Sequence, residues 1–540
     1  MEQVSTTGSA VMAWRAALGQ EQVCDDPDVL DRYGRSTQGA GTRPQCILYP
    51  RSVDDVREIV RIAQDSSTVV YPISRGKNWG YGDACAPTAG AAIVDMSRMN
   101  RIIEVNAELA YAVIEPGVTQ GQLFAYLRDN HIPLWLDSTG AGPDASLVGN
   151  TLDRGFGHTR YSDHVRTSCA MEIVLADGRI LNTGYAHFPN AQASHVFPYG
   201  IGPSLDGLFC QSNLGIITKL TLWLQPKPEA FAFFYIRVER HDALGALVDA
   251  LRPLRLRGEL ESALHIANDL RLLSANGRYP WDEAGGTTPL PLPVRERMRK
   301  ALDAGAWTAG GSISGSKSRV RGAKQALRRA AQSIGARVNF VDDSLISLAE
   351  RAQRALSWIG FGEKLADQLR TLKPNYGLLK GEPTNEPLRG THWRLRKPPA
   401  SGSLDPLDVG AGLVWLSPVL PMTGSAARRL VDLVEPIYAE FGFEPLVTVT
   451  LINERAMIAI LNVSFDQSVS DERDRALACY DKLMSALIET GYYPYRTSPK
   501  GMARMRNDDD VFWDVASKLK TALDPGDIIA RGRYIPPLGE

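Results

Sequence analysis

The chain has 540 residues, with 60 Lys and Arg against 61 Asp and Glu, a formal net charge of −1 and an apolar fraction of 44%. That length predicts roughly two to four domains, and the composition excludes a disordered chain. Balanced charge without a basic cluster argues against nucleic-acid binding, which needs concentrated Lys and Arg to replace phosphate counterions.

Ser52 caps a predicted helix whose Val53, Val56, Ile59, Val60 and Ile62 share one face, with Asp55 three residues past the cap. Strands are predicted over 91–96 and 111–114, the second running through Glu115-Pro116-Gly117 into a helix bearing Leu123, Tyr126 and Leu127. Asp177-Gly178 joins 171–175 to 179–181 as a hairpin. A strand over 216–224 closes this first α+β unit at Gln225-Pro226. Beyond it, a strand over 231–238, a helix over 241–251 and a strand over 263–267 precede a Pro/Gly-rich linker, 277–293. Strands over 412–419, 446–452 and 457–463, with amphipathic helices over 424–440 and 471–490, predict a second α+β unit. The tail from Asp524 to Arg533 returns to turn chemistry and is expected to dock on the first unit.

Six scattered cysteines without a CxxC pair predict reduced thiols, and the histidines lack ligand spacing, so no metal is expected. The N-terminus has no basic stretch leading into an apolar core, and no run of about 20 apolar residues occurs, so a cytoplasmic chain without a membrane partner is expected.

The most informative segment is Ser74-Arg75-Gly76-Lys77-Asn78-Trp79-Gly80, directly after the apolar Val69-Val70-Tyr71. Closely spaced glycines let successive N–H groups converge on an anion such as a diphosphate, although a plain surface loop has the same composition. Gly140-Ala-Gly142-Pro-Asp144-Ala145 matches a dinucleotide pattern, but Pro143 spoils the helix that should open there.

Pro72 to Gly82, Glu115 to Thr119, Val148-Gly149-Asn150-Thr151-Leu152-Asp153-Arg154-Gly155, Gln211 to Ile216, Tyr492 to Thr497 and Asp524 to Ala530 together resemble the vanillyl-alcohol oxidase, eugenol oxidase and p-cresol methylhydroxylase group. The resemblance spans nearly the whole chain. It implies a two-domain α+β FAD-binding fold of the vanillyl-alcohol oxidase type, with an α+β cap over the flavin. Residues 1–226 and 499–540 would form the FAD-binding domain and 227–498 the cap.

It further implies that FAD is held by Ser74, Arg75, Gly76, Lys77, Asn78, Trp79, Gly80, Gly149, Asn150, Thr151, Gly155, Gly157, His158, Ser212, Gly215, Ile217, Arg531 and Arg533. Tyr81, Tyr495 and Arg496 match the family's phenolate-binding residues. Two phenolic donors and a permanent cation lower the pKa of a buried phenol, and its phenolate then expels a benzylic hydride to flavin N5, leaving a p-quinone methide. The implied partners are a small phenol and either O2 or an electron-carrier protein, and a homodimer or higher homo-oligomer is expected.

Three positions depart from the family. Leu413 stands where relatives carry a flavin-linking histidine and Thr391 where a second branch carries its tyrosine, so the FAD is expected to be non-covalent, with His392 a substitute link, a pocket residue or a structural hydrogen-bonding group beside Trp393. Gly140 aligns with the family's water-activating aspartate, which leaves Asp144 as a stand-in only if its loop folds inward. Asp153 is expected to pair with neighbouring Arg154 or a backbone group. The alternatives are a flavin enzyme of the same fold acting on a non-phenolic alcohol or amine, and a non-catalytic FAD-fold binding protein.

Overall fold

Strands Cys46–Leu48, Ala92–Asp95 and Val70–Ile73 run parallel, with Val23–Cys24 antiparallel at one edge. The structure, a computed structural model, describes residues 3–358, 363–399, 402–507 and 509–537. These strands are apolar on both faces, as strands covered on both sides must be. Helix Val53–Asp65 starts where Ser52 Oγ accepts the Asp55 N–H at 3.1 Å, and it buries Val56, Ile59, Val60 and Ile62 against the sheet. The far end of the chain completes this layer: Val70 N–H donates to the Ile528 carbonyl and Ala530 N–H to the Val70 carbonyl, both at 2.8 Å. Buried Lys520 fixes that end by donating to Asp524 Oδ2 at 2.6 Å and to the Asn213 and Ile529 carbonyls at 2.8 Å.

A second sheet, entirely antiparallel, has the order Ile180–Asn182, Ser168–Val174, Ile216–Trp223, Tyr111–Ile114, Ile102–Asn106. The hairpin predicted at Asp177-Gly178 is there, and Gly178 takes φ +79° at its turn.

The third sheet has eight antiparallel strands. Their order is Arg337–Val341, Ala230–Val238, Trp307–Gly315, Leu264–Asn268, Leu446–Leu451, Ala456–Asp466 and Ala411–Leu416, with Val419–Pro421 also on Ala456–Asp466. Alternate residues such as Leu264, Ile266, Val447, Val449, Leu461 and Val463 enter a core shared with helices Leu244–Leu256, Gly424–Glu440 and Ser470–Glu489. Their neighbours His265, Ala267, Thr448, Thr450, Asn462 and Ser464 therefore face the other way. His158 meets His265 on that side, Nδ1 to Nε2 at 2.9 Å, so the polar face of the sheet closes over the glycine-rich segments.

Trp307–Gly315 was not legible as a strand, because its Gly310-Gly311 pair reads as a turn. The sheet needs Gly311: a Cβ there would lie 2.3 Å from Leu264 Cδ2. The predicted helix over 241–251 begins as a single 3-10 turn, His241–Ala243, and the linker over 277–293 ends inside helix Leu292–Ala301. No helix among the described residues is long and apolar enough to cross a membrane.

Candidate functional site: a glycine cradle and a buried tyrosine–arginine cluster

Residues 74–80 leave the C-terminal end of Val70–Ile73, with Gly76 at φ +65° and Gly80 at φ +73°. Thr37 Oγ1 accepts the Gly80 N–H at 2.8 Å, and buried Asp83 in turn holds Thr37 and Ser36. The N–H groups of Arg75 to Trp79 donate to no acceptor among the described residues, and the buried Trp79 indole N–H is likewise unpartnered. This run of free amides after a parallel strand suits a diphosphate. The neighbouring helix Leu147–Leu152 approaches so closely that a Cβ on Gly149 would lie 3.1 Å from Ser74 Oγ.

Some side chains assigned to the cofactor from sequence have protein partners instead. Lys77 Nζ pairs with Asp405 at 2.5 Å, Thr151 Oγ1 donates to the Leu147 carbonyl at 2.9 Å, and Arg531 Nε meets Asp527 Oδ2 at 3.1 Å. Asn150 Oδ1 meets His164 Nδ1 at 2.6 Å, and Gly155 leaves room for the Asn150 side chain. Gly157 does the same for Asp137, since a Cβ there would fall 1.6 Å from Oδ2. Gly215 and Ile217 are buried at the start of Ile216–Trp223, where a Gly215 Cβ would strike Ile173; half-buried Ser212 and Arg75 lie in their loops.

Tyr495 and Arg496 are fastened to the end of the third sheet. Tyr495 N–H donates to the Ser417 carbonyl at 3.1 Å, and Gln211 Nε2 donates to the Tyr495 carbonyl at 2.9 Å. Buried Tyr81 comes from the cradle loop, and its hydroxyl meets Ser417 Oγ at 2.5 Å. The Arg496 guanidinium carbon lies 4.1 Å from the Tyr81 ring centroid and 5.3 Å from that of Tyr495. Burial pushes the Tyr495 hydroxyl well above the usual phenol range, although Arg496 opposes it. Burial also works against the Arg496 charge, but Tyr495, Tyr81 and Asp153 hold it more firmly protonated than a free arginine.

Asp153 does not pair with Arg154, which is exposed. It takes Arg496 Nη1 at 3.3 Å, Asn78 Nδ2 at 3.4 Å and Arg533 Nη2 at 3.6 Å, while Arg533 Nη1 donates to the Thr497 carbonyl at 2.9 Å. Sequence reasoning missed Asp153 and Ser417 as parts of this cluster. A buried arginine among tyrosines needs a carboxylate, and that was the available signal for Asp153.

The remaining wall is apolar. Leu413 packs with Trp79 and Leu388, and Trp415 covers Gly80. Thr391 Oγ1 donates to the Leu388 carbonyl at 2.7 Å, and His392 Nε2 lies 3.2 Å from the Leu404 carbonyl. Gly140 abuts Pro387, where a Cβ would be 3.1 Å from the proline Cβ, and Asp144 is exposed. Among the described residues no group of three or more His, Cys, Asp or Glu could hold a metal ion.

The His158–His265 pair has a pH signature. Burial, with His158 adding to it, pushes His265 down to about 3, and burial lowers His158 too. Neutral imidazoles are thus favoured in the folded chain, and their contribution is present above about pH 6.5, the unfolded value. It is lost as pH falls from there towards about 3. The thermal midpoint of His265→Gln is expected to vary less across that window than the parent's; identical pH profiles would remove the pair from the account.

Residues 44–184 match the FAD binding domain family, so cradle and fold together define a flavoprotein. Over 526 residues the chain is 36% identical to 1'-carboxy-chondrochloren decarboxylase of Chondromyces crocatus, covering 97% of this chain and 96% of that protein. It is 30% identical over 530 residues to the flavoprotein subunit of the hydroxylating 4-cresol dehydrogenase of Pseudomonas putida, covering 97% and 94%. Among solved structures, substrate-bound p-cresol methylhydroxylase superposes with a TM-score of 0.87 at 28% identity, covering 99% of this chain and 98% of that one. The 4-ethylphenol oxidase of Gulosibacter chungangensis, in complex with isoeugenol, superposes with a TM-score of 0.88 at 27% identity and the same coverage. The chain belongs to the vanillyl-alcohol oxidase and p-cresol methylhydroxylase family of FAD-dependent oxidoreductases.

Proposed function

We propose that the chain oxidises a para-substituted phenol at its benzylic carbon, with the substrate held as a phenolate by Tyr81, Tyr495 and Arg496. The seating of one guanidinium against two tyrosine rings, 4.1 Å from the Tyr81 centroid and 5.3 Å from that of Tyr495, carries this reading. The names of the 4-cresol dehydrogenase and 4-ethylphenol oxidase relatives support it. Bound FAD supplies a two-electron acceptor for hydride. The free backbone amides of Arg75 to Trp79 would hold its diphosphate, and the apolar wall of Leu413, Leu388 and Trp79 would help to exclude water from the site.

Arg496 stabilises the phenolate oxygen, and the two tyrosines donate hydrogen bonds to it. Charge pushed from that oxygen to the para position loosens the benzylic C–H bond, and the substrate is left as a quinone methide. Anaerobic mixing with 4-ethylphenol should bleach the flavin absorbance, whereas benzyl alcohol should not; bleaching by benzyl alcohol alone would overturn the reading.

Two further outcomes follow from the apolar wall. Leu413 and Thr391 provide no linking nucleophile, and His392 is turned to the Leu404 carbonyl, so denaturation should release all FAD into the supernatant. Flavin retained on the precipitated chain would identify a covalent link. With Gly140 at the base position and Asp144 exposed, the quinone methide of 4-ethylphenol should lose a β-proton and accumulate as 4-vinylphenol. Predominance of the benzylic alcohol would show that water is activated by some other group.

A further inference from the structure

Several arginines are enclosed among the described residues, and most of them end on groups that balance or satisfy the charge, Arg533 on Asp153 and the Thr497 carbonyl among them. Arg255 donates to the carbonyls of Leu260, Ser262, Ile452 and Asn453. Arg394 ends on Glu444 and Glu472, and Arg496 on Asp153. Arg271, in helix Asp269–Asn276, has only Ser274 Oγ, one turn along its own helix, at 3.3 Å. No carboxylate among the described residues pairs with it, because its neighbour Asp269 is engaged by Arg295 at 2.6 and 2.8 Å. Burial holds the Arg271 pKa below that of a free arginine, and no nearby anion offsets the effect. The side chain nevertheless keeps some accessible surface, as Tyr495 and Arg496 do.

Its position relates it to the tyrosine–arginine cluster. The guanidinium lies against Gly390, where a Cβ would fall 2.4 Å from Nη1. Gly390 belongs to the turn Glu386–His392, which also carries Leu388 onto Leu413 and Trp79. Across the polar face of the large sheet, Ala267 pairs with Thr448 and Thr448 with Ile460. Ile460 precedes Leu461, which pairs with Leu416, the residue before Ser417. Three interstrand steps of about 4.8 Å put the Ala267 end of this row roughly 14 Å from Ser417. Arg271 follows Ala267 by four residues, so phenolate cluster and lone guanidinium stand at opposite ends of one face.

We propose that Arg271 is a carboxylate anchor, and that the substrate is a phenol whose para side chain ends in a carboxylate. This rests on the phenol reading above. A planar guanidinium matches the two oxygens of a carboxylate, and an enclosed, unpaired one gains most from such a partner. Gly390 gives Nη1 the space to meet it.

The test uses FAD-loaded enzyme and 4-hydroxyphenoxyacetate, whose ether oxygen replaces the reactive carbon, so that binding is read without turnover. Calorimetry compares it with 4-ethoxyphenol, which lacks the carboxylate. The parent should bind the acid roughly tenfold or more tighter. Arg271→Met should abolish that preference and leave 4-ethoxyphenol affinity unchanged, and Arg271→Gln repeats the test should the first variant fold poorly. Equal affinities in the parent, or a preference that survives both substitutions, would overturn the anchor. Phenoxyacetate, without the phenol hydroxyl, separates this proposal from the one beneath it. If it binds as tightly as the hydroxylated acid and depends on Arg271, the anchor stands and the phenol reading falls. If 4-ethoxyphenol binds in an Arg496-dependent way and the acid gains nothing, the anchor falls and the phenol reading stands.

Discussion

Arg496→Ala is expected to slow flavin reduction by a 4-alkylphenol by roughly tenfold to a hundredfold, the worth of a charge-assisted hydrogen bond to a buried anion. FAD content should be unchanged, because the guanidinium faces the Tyr81 and Tyr495 rings and not the cradle amides. Tyr495→Phe should cost less, since the cation that stabilises the phenolate is retained. Arg496→Lys should fall between the two, keeping charge but not the planar fork that also reaches Asp153 at 3.3 Å. Stopped-flow traces under nitrogen measure all three; unaltered reduction in Arg496→Ala would end the phenolate account.

Gly80→Ala should be the most damaging change in the cradle. Its φ of +73° disfavours any side chain, and the added Cβ would lie 2.1 Å from Trp415 Cδ1. Gly178→Ala provides the control. There φ is +79°, but nothing lies within 4 Å, so only the backbone penalty of about 1 kcal/mol remains. Gly80→Ala is expected to lose roughly 3 kcal/mol or more and much of its bound FAD, because strain and overpacking add. The difference between the variants in thermal midpoint and in the ratio of flavin to protein absorbance isolates the contact with Trp415. Equal FAD retention would show that the loop can shift without consequence.

Local chemistry was the legible part of this chain. Ser52 with Asp55, and Asp177 with Gly178, announce a helix start and a hairpin through interactions between residues close in sequence. Trp307–Gly315 was opaque because its glycines serve a neighbouring strand, which sequence does not display. The site divides the same way. The resemblance pointed to Tyr81, Tyr495 and Arg496, but the partner of Asp153 was sought in adjacent Arg154 or a backbone group, whereas folding brings Asp153 to arginines 343 and 380 positions away. Lys77 sits in a loop that reads as phosphate-binding, yet Asp405 takes its charge. Arg271 carries no sequence signal at all. What distinguishes it is the missing partner, visible only when the surrounding elements are in place.

Asp153, shared between Arg496 and Arg533, fixes the proton count of binding. Two guanidiniums against one carboxylate leave this enclosed cluster with one excess positive charge, and a single phenolate brings the sum to zero. A phenol that enters neutral at physiological pH must therefore leave its proton to the solvent. Uptake of ligand would release close to one proton per site, and heats measured in buffers of different ionisation enthalpy would differ accordingly. Asp153→Asn would raise the excess charge to two and strengthen the pull on that proton, so the bound phenol would stay ionised to lower pH and the rise of affinity with pH, below the solution pKa, would extend further down.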